Sequence, residues 1–144
     1  MDEKLPNNPI INSIYSILKD KNRRRIMNLL SERTFSAKEL TKRLKITRQG
    51  IEKHLKRMLR IGLIETRAEN FPNLHYIYYL PEYTQELMAD LTDCLESFIE
   101  GLKEYYETRL EEEEQSFLLG KSTKQKYKAM KRSHDKIMEK IKND

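Results

Sequence analysis

The sequence predicts a mainly α-helical protein with one small β-hairpin. Apolar residues recur at spacings of three and four along most of the 144 residues, as they do on one face of a helix. A single stretch, residues 63–80, is instead rich in β-branched and aromatic residues around a turn. Gly and Pro number only four each, which excludes collagen-like and linker-rich chains.

Two helices are predicted before residue 34. Asn8 followed by Pro9 marks a helix start, because Asn caps well and Pro suits the first helical position. Asp20 is placed to cap a second helix, in which Arg23, Arg24 and Arg25 occupy the first turns. Cations there oppose the helix dipole, so an external anion or solvent is expected to relieve the conflict. The apolar positions of this second helix are Ile26, Met27, Leu29 and Leu30.

The next two helices are short and close together. Ser36 and Glu39 form a capping box for the first of them. The tight connection 45–46 follows, Thr47 can cap the next helix, and Gly62 is suited to end it. One side of this last helix is apolar, with Ile51, Leu55, Met58 and Leu59, while the other side is largely basic.

A β-hairpin is predicted after that helix. The runs Leu63–Glu69 and His75–Leu80 have strand composition, turn residues 70–73 separate them, and Pro81 ends the second run. The tyrosines of the second run, Tyr76, Tyr78 and Tyr79, are expected to pack in the hairpin core rather than to stack on bases.

From residue 82 to about 119 the pattern is that of one long helix. Its apolar residues step by three and four along a heptad seam formed by Met88, Leu91, Leu95, Phe98, Leu102 and Tyr105. Gly120 interrupts the pattern, and Ser122 with Gln125 offers a further capping box. Residues 120–144 then form a basic amphipathic helix, for which a packed helical hairpin and an independently moving tail are both open.

The net charge of +5 is the sum over three blocks of alternating sign and the remaining residues. Residues 19–60 carry 15 basic and 4 acidic side chains, residues 82–114 carry 2 and 12, and residues 121–144 carry 9 and 3. A polyanion would respond to the local excess of +11 in the first block rather than to the average.

Two short helices joined by a tight turn, the second basic outside and followed by a hairpin, form a winged helix-turn-helix pattern. The stretch 24–80 resembles the DNA-binding domain of ArsR-type transcriptional regulators, especially archaeal ones. The residues that carry the resemblance are Leu29, Leu30, Ser36, Leu40, Leu44, Ile46, Ile51, His54, Leu55, Lys56, Leu59, Gly62 and Leu63. The predicted organisation is a winged helix-turn-helix domain at 10–81, a dimerisation helix at 82–119 and a basic C-terminal helix at 120–144.

The pattern predicts that helix 47–61 lies in the major groove of double-stranded DNA. Arg48 can pair with guanine and Gln49 with adenine, and Gly50 allows close approach. Other side chains are expected to contact the phosphate backbone or to bring the wing to the minor groove. These are Thr47, Lys53, His54, Lys56, Arg57 and Arg67.

A homodimer on a pseudo-palindromic operator is the expected assembly. The helix at the start of the domain and the long helix after the wing are similar in position to the dimerisation helices of the ArsR-type family. The residues predicted at this interface are Ile14, Met88, Leu91, Leu95, Phe98, Leu102 and Tyr105.

Other function classes have little support in the sequence. ArsR-type metal sensors use paired cysteines or Asp and His clusters, whereas this chain has one Cys and three scattered His, so no metal or cofactor is expected. Cys94 is interpreted as a small buried hydrophobe. No catalytic constellation is recognisable, so the protein is not expected to be an enzyme. The polar start and the short apolar runs favour a cytoplasmic protein without a membrane span.

Two alternatives to DNA regulation remain. A winged helix can act as a protein-interaction module in a transcription complex, although such modules often lose the basic outer face. Single-stranded nucleic acid could also bind through the tyrosine-rich wing.

Overall fold

The computed structural model describes residues 5–143. It contains six helices and three strands within those residues: α1 Pro9–Leu18, α2 Lys21–Glu32, β1 Phe35–Ser36, α3 Ala37–Leu44, α4 Arg48–Arg60, β2 Glu65–Glu69, β3 His75–Tyr79, α5 Glu82–Leu118 and α6 Lys124–Lys142. The chain divides into two compact units, the first ending at Met88 and the second beginning at Ala89.

The predicted helix caps of α1 and α2 are confirmed. Asn8 Oδ1 accepts from the Ile10 N–H at 2.8 Å, with Pro9 at the first helical position. Asp20 Oδ1 accepts from the Arg23 N–H at 3.0 Å. Each cap satisfies an N–H group that the helix itself leaves without a partner.

The α3–α4 pair is joined by a turn of only three residues. The Ser36–Glu39 capping box is complete, since each residue's side chain accepts from the other's backbone N–H, at 3.2 and 3.1 Å. Lys45 ends α3 in the left-handed region, with φ 55°. Thr47 Oγ1 then accepts from the Gly50 N–H at 3.1 Å and starts α4. The left-handed residue and the cap together end α3 and start α4 within three residues.

The sheet has one strand more than the sequence predicted. Strands β2 and β3 form the expected antiparallel hairpin, with Glu65 opposite Tyr79 and Glu69 opposite His75. Strand β1 pairs antiparallel with the other edge of β3, placing Phe35 opposite Tyr78, so the order is β1-β3-β2. A two-residue strand has no periodicity for the sequence to reveal, and its pairing to β3 is a long-range contact.

The core of the first unit collects one apolar face from each helix and the inner side of the sheet. Burying each large aliphatic or aromatic side chain contributes about 1.5–3 kcal/mol. The apolar side chains least exposed are Ile17, Ile26, Met27, Phe35, Leu40, Ile51, Leu55, Met58 and Ile64.

The junction between α4 and the wing depends on Gly62, as predicted. Its φ is +79°, a conformation that side chains with a Cβ rarely adopt. The Tyr83 hydroxyl donates to the Gly62 carbonyl at 2.5 Å, which links this turn to the first turn of α5.

The first two turns of α5 belong to the core of the first unit. Leu87 and Met88 pack against that core, and Thr84 is fully buried. Met88, which the sequence placed in the heptad seam, therefore already contacts its own chain. No hydrogen-bond partner reaches the Thr84 Oγ1 atom among the described residues.

The second unit consists of α5 from Ala89 onward together with α6, and the C-terminal part of α5 packs against α6. The Phe117 and Tyr127 rings stack with centroids 5.6 Å apart, and the Ser122 hydroxyl bonds to the Glu113 carboxylate. The half-buried apolar residues of this unit include Leu102, Tyr106, Leu110, Met130, Ile137 and Ile141. Within this unit, the hairpin arrangement is the one that the structure adopts.

Three expectations for local features are wrong. The cap of α6 is Thr123, whose Oγ1 accepts from the Lys126 N–H at 3.2 Å, rather than Ser122. Cys94 is exposed, because it lies on a side of α5 that no described element covers. Tyr76 is 58% exposed, since it faces away from the sheet's buried side, where Ile77 points.

Candidate nucleic-acid interface

Helix α4 presents two chemically opposite faces. Ile51, Leu55 and Met58 are at most 1% exposed and anchor the helix in the core. The opposite face is open to solvent within the described residues and carries Arg48, Gln49, Glu52, Lys53, Lys56, Arg57 and Arg60. The predicted contact residues of α4 are thus exposed together, except for half-buried His54.

One ion pair lies on this outer face. Arg48 Nε donates to Glu52 Oε1 at 2.9 Å, and the two side chains are 56% and 53% exposed. Of the described residues, none places a carboxylate within ion-pair distance of Lys53, Lys56 or Arg57. The middle of the helix therefore keeps its cationic groups available to an anionic partner.

Packing within the fold explains why residue 50 is a glycine. A Cβ atom on Gly50 would lie 3.0 Å from Ile46 Cγ2 and 3.1 Å from Thr47 Oγ1. It would press on the α3–α4 turn and on the hydroxyl that caps α4. The sequence suggested close approach of a ligand, and this packing constraint applies regardless of any ligand.

His54 lies against α2 rather than on the outer face alone. Its Nδ1 accepts a hydrogen bond from Arg23 Nε at 3.2 Å. Desolvation by burial lowers the pKa of His54; the Asp20 carboxylate opposes this shift, and the positive charge of Arg23 reinforces it. His54 therefore favours the neutral imidazole, with Nδ1 as the acceptor.

The arginines at the start of α2 have partners that the sequence did not indicate. Arg23 Nη1 donates to the Ser16 carbonyl at 3.0 Å, and Arg24 Nη1 donates to the Leu18 carbonyl at 2.7 Å. Both carbonyls belong to the C-terminal part of α1, where the helix dipole favours cations. The conflict inferred from the sequence is thus resolved inside the protein, without an external anion.

The wing and the start of α4 border the same open cleft of about 600 Å³. Lys38, Arg48 and Glu52 line one side, while Asn73 and Tyr76 are among the wing residues on the other. Arg67 lies on β2. Its Cζ is 5.4 Å from the Tyr79 ring centroid, and its Nη2 is 3.6 Å from Glu69 Oε1. At the wing tip, the apolar side chain of Phe71 is 86% exposed.

Residues 5–143 contain neither a membrane-spanning helix nor a cluster of metal ligands. None of the helices there has the length and apolar composition needed to cross a membrane. Nor do His, Cys, Asp and Glu side chains in that range gather into groups of three or more that could hold a metal ion.

Comparison with known proteins identifies the architecture of the first unit. A family model described as a helix-turn-helix domain matches residues 18–67, which run from the end of α1 into β2. The first unit is a winged helix-turn-helix domain. No curated protein sequence matches the chain.

Three solved structures are similar in fold to the winged helix-turn-helix domain. A homodimeric winged helix-turn-helix DNA-binding domain from Mycobacterium bovis, a possible ArsR-family regulator, has 17% identity and a TM-score of 0.57 over 64% of this chain and 83% of its own. Diamide-treated YodB from B. subtilis has 21% identity and a TM-score of 0.56 over 63% and 91%. HlyU from Vibrio cholerae has 22% identity and a TM-score of 0.51 over 59% and 90%.

Proposed function

We propose that this protein is a sequence-specific, double-stranded DNA-binding transcriptional regulator of the ArsR type that acts as a homodimer. The observation that carries the proposal is the cationic, solvent-open face of α4 on a winged helix-turn-helix domain. The fold alone is compatible with protein-interaction modules. The retained basic face favours a polyanion as the partner.

Helix α4 is the element that enters the major groove in this proposal. The groove is about 12 Å wide and admits one helix. Arg48 and Gln49, in the first turn, reach base edges, where arginine matches guanine and glutamine matches adenine. Thr47 reaches a phosphate through its hydroxyl.

The other basic residues supply affinity rather than sequence preference. Lys53, Lys56 and Arg57 contact phosphates, and His54 lies beside the DNA backbone. Arg67 brings the wing towards the minor groove. The cleft between α4 and the wing then accommodates the phosphate strand that separates the two grooves.

The apolar stripe on α5 supports a homodimer. Leu95, Phe98 and Tyr105 are 58%, 66% and 51% exposed, which leaves large apolar side chains in solvent on one helix. The stripe continues through Leu91 and Leu102, and Ile14 and Met88 complete the proposed interface. The M. bovis domain described above is homodimeric, which is consistent with this assembly.

A symmetric dimer would present two α4 helices to two half-sites. Half-sites one helical turn apart have centres about 34 Å from each other. The proposed operator is therefore pseudo-palindromic.

The test is selection of bound fragments from random double-stranded DNA with the full-length protein. Enrichment of an inverted repeat supports the proposal, as does protection of that repeat in footprinting. The double variant Lys53→Gln, Lys56→Gln should lose most of its affinity for duplex DNA while it keeps its fold. Failure to enrich any sequence, or preference for poly(dT) over duplex, would reject the proposal.

A further inference from the structure

We propose that Glu52 is a positioning residue that orients Arg48 towards guanine and so helps to set the sequence preference of α4. The inference rests on the proposed function, because it concerns how α4 would recognise DNA. Glu52 is not among the residues that the sequence predicted to contact DNA, because an acidic side chain neither pairs with guanine nor binds phosphate.

The geometry of the pair leaves the reading edge of the arginine open. Arg48 is the first residue of α4, and Glu52 follows one turn later on the same face. The bond uses Nε of the guanidinium and one oxygen of the carboxylate, at 2.9 Å. Both terminal nitrogens of Arg48 therefore remain as donors, since they bond to no acceptor among the described residues.

Two parallel N–H donors are what guanine requires in the major groove. Guanine presents O6 and N7 side by side, and a guanidinium can bond both at once. Arginine has many rotamers, and fixing one before binding lowers the entropy lost on recognition. A carboxylate bonded to Nε restricts the orientation of the guanidinium and leaves both terminal nitrogens available to the base.

The charge pattern of α4 makes this role specific to Glu52. Glu52 is the only acidic residue between Arg48 and Arg60. On a surface that approaches phosphates, a carboxylate weakens binding to every sequence alike. Its pairing with the one arginine placed at the start of the helix offsets that cost through selectivity.

The cleft beside the wing contains the same pair. Arg48 and Glu52 line one wall, opposite Tyr76 and Tyr78. The pair is thus at the boundary between α4 and the wing, where the DNA strand would run. An ordinary ion pair on a solvated helix face would have no consequence for base preference.

The experiment compares the full-length wild type with Glu52→Gln and Glu52→Ala on the selected operator. Each protein is tested on that site, on the three substitutions of the guanine assigned to Arg48, and on unrelated duplex. For Glu52→Gln we expect guanine preference to fall about tenfold. Affinity for unrelated duplex should instead rise about threefold, because one negative charge is lost.

Two further measurements separate positioning from a structural effect. Replacing the guanine with 7-deazaguanine removes the N7 acceptor, and this should cost the wild type more affinity than it costs Glu52→Ala. In an Arg48→Ala background, Glu52→Gln should leave base preference unchanged. Thermal unfolding followed by circular dichroism confirms that each variant is folded.

The outcomes distinguish this inference from the proposed function. If the wild type enriches no sequence, the proposed function fails and this inference fails with it. If the wild type selects a site but both Glu52 variants retain its guanine preference, only the inference is overturned. Equal loss of affinity for all sequences would also overturn it, since that is the signature of a structural role.

Discussion

Arg23 and His54 are bonded side chain to side chain, with Arg23 Nε 3.2 Å from His54 Nδ1. Arg23 is only 8% exposed and also holds the Ser16 carbonyl, so one guanidinium connects α1, α2 and α4. The position of α4, which carries the candidate DNA-binding face, depends in part on an imidazole that must accept this hydrogen bond.

This arrangement predicts that acidification destabilises the protein. Burial, with the positive charges of Arg23, Lys53 and Arg57, lowers the pKa of His54 below its ordinary value of 6.5, although Asp20 opposes the shift. The unfolded chain therefore takes up this proton first as the pH falls. The free energy of unfolding should be largest above about pH 6.5 and should decrease below it.

Urea unfolding at a series of pH values measures this effect. His54→Gln can still accept from Arg23 but does not titrate, so its stability should vary less between pH 7.5 and about pH 5.5. Asp20→Asn keeps the cap and removes the opposing anion, so NMR should show a still lower pKa for His54. An identical pH dependence in wild type and His54→Gln would contradict the interpretation.

Arg48→Ala and Lys53→Ala are predicted to affect DNA binding differently. Arg48→Ala should relax preference at one base pair and cost about 1–3 kcal/mol on the preferred site. Lys53→Ala should weaken all sequences similarly and reduce the salt slope by about 1. Fluorescence anisotropy at several salt concentrations measures both effects.

The wild-type salt dependence gives the reference for these variants. If a dimer neutralises roughly eight phosphates, log K against log salt has a slope near −7. An affinity that does not vary with salt would contradict a phosphate-based interface. Equal losses on all sequences for both variants would show that the assigned roles are wrong.

Leu95→Glu is predicted to convert dimers into monomers. Leu95 is 58% exposed in the single chain, so a glutamate there is tolerated in the monomer but would be buried at the proposed interface. Sedimentation velocity should show half the mass, with unchanged helical content. Glu96→Gln, at an exposed neighbouring position, is the matched control. A dimer that persists in Leu95→Glu would place the interface elsewhere.

Thr84→Val is predicted to stabilise the first unit. Thr84 is fully buried and its hydroxyl lacks a hydrogen-bond partner among the described residues, a situation that costs about 1–3 kcal/mol. Valine keeps the shape and removes the polar atom, so the free energy of unfolding should rise by about 1 kcal/mol. Thr84→Ser keeps the hydroxyl, loses the methyl group and should be less stable. Denaturant unfolding of both variants provides the test, and a valine variant less stable than wild type would refute the assignment.

Gly62→Ala and Gly101→Ala are predicted to have opposite effects. Gly62 has a positive φ, and its added Cβ would lie 3.3 Å from the Tyr83 hydroxyl, so alanine should cost about 1–2 kcal/mol. Gly101 lies inside α5, and a Cβ added there would meet no described atom within 4 Å, so alanine should gain about 0.5–1 kcal/mol. Thermal unfolding of the two variants compares them directly. Similar effects of both substitutions would argue against a conformational role for Gly62.

Features that depend on neighbours along the chain were readable from the sequence. Asn8, Asp20 and Thr47 cap their helices as predicted, because a cap needs only the next two or three residues. The apolar face of α4 and the stop at Gly62 followed in the same way. The Arg48–Glu52 pair could also have been predicted from the sequence, since residues four apart on a helix are neighbours.

Features that depend on distant residues were not readable. Three such features bring together residues from different elements of the folded chain: the pairing of β1 with β3, the hydrogen bond from Arg23 to His54, and the contact of Arg24 with α1. The exposure of Cys94 and Tyr76 likewise depends on what else covers each surface, which no local pattern contains.

The order of helices and hairpin, the helix ends and the basic character of α4 could be predicted from local patterns, because propensity, capping and periodicity act over a few residues. The folded chain was needed to show which charges are neutralised internally and which face solvent. Arg23 and Arg24 are hydrogen-bonded to carbonyls of α1, whereas Lys53 and Lys56 are exposed. Whether a charge is available to a partner depends on the groups that the fold brings within a few ångströms of it.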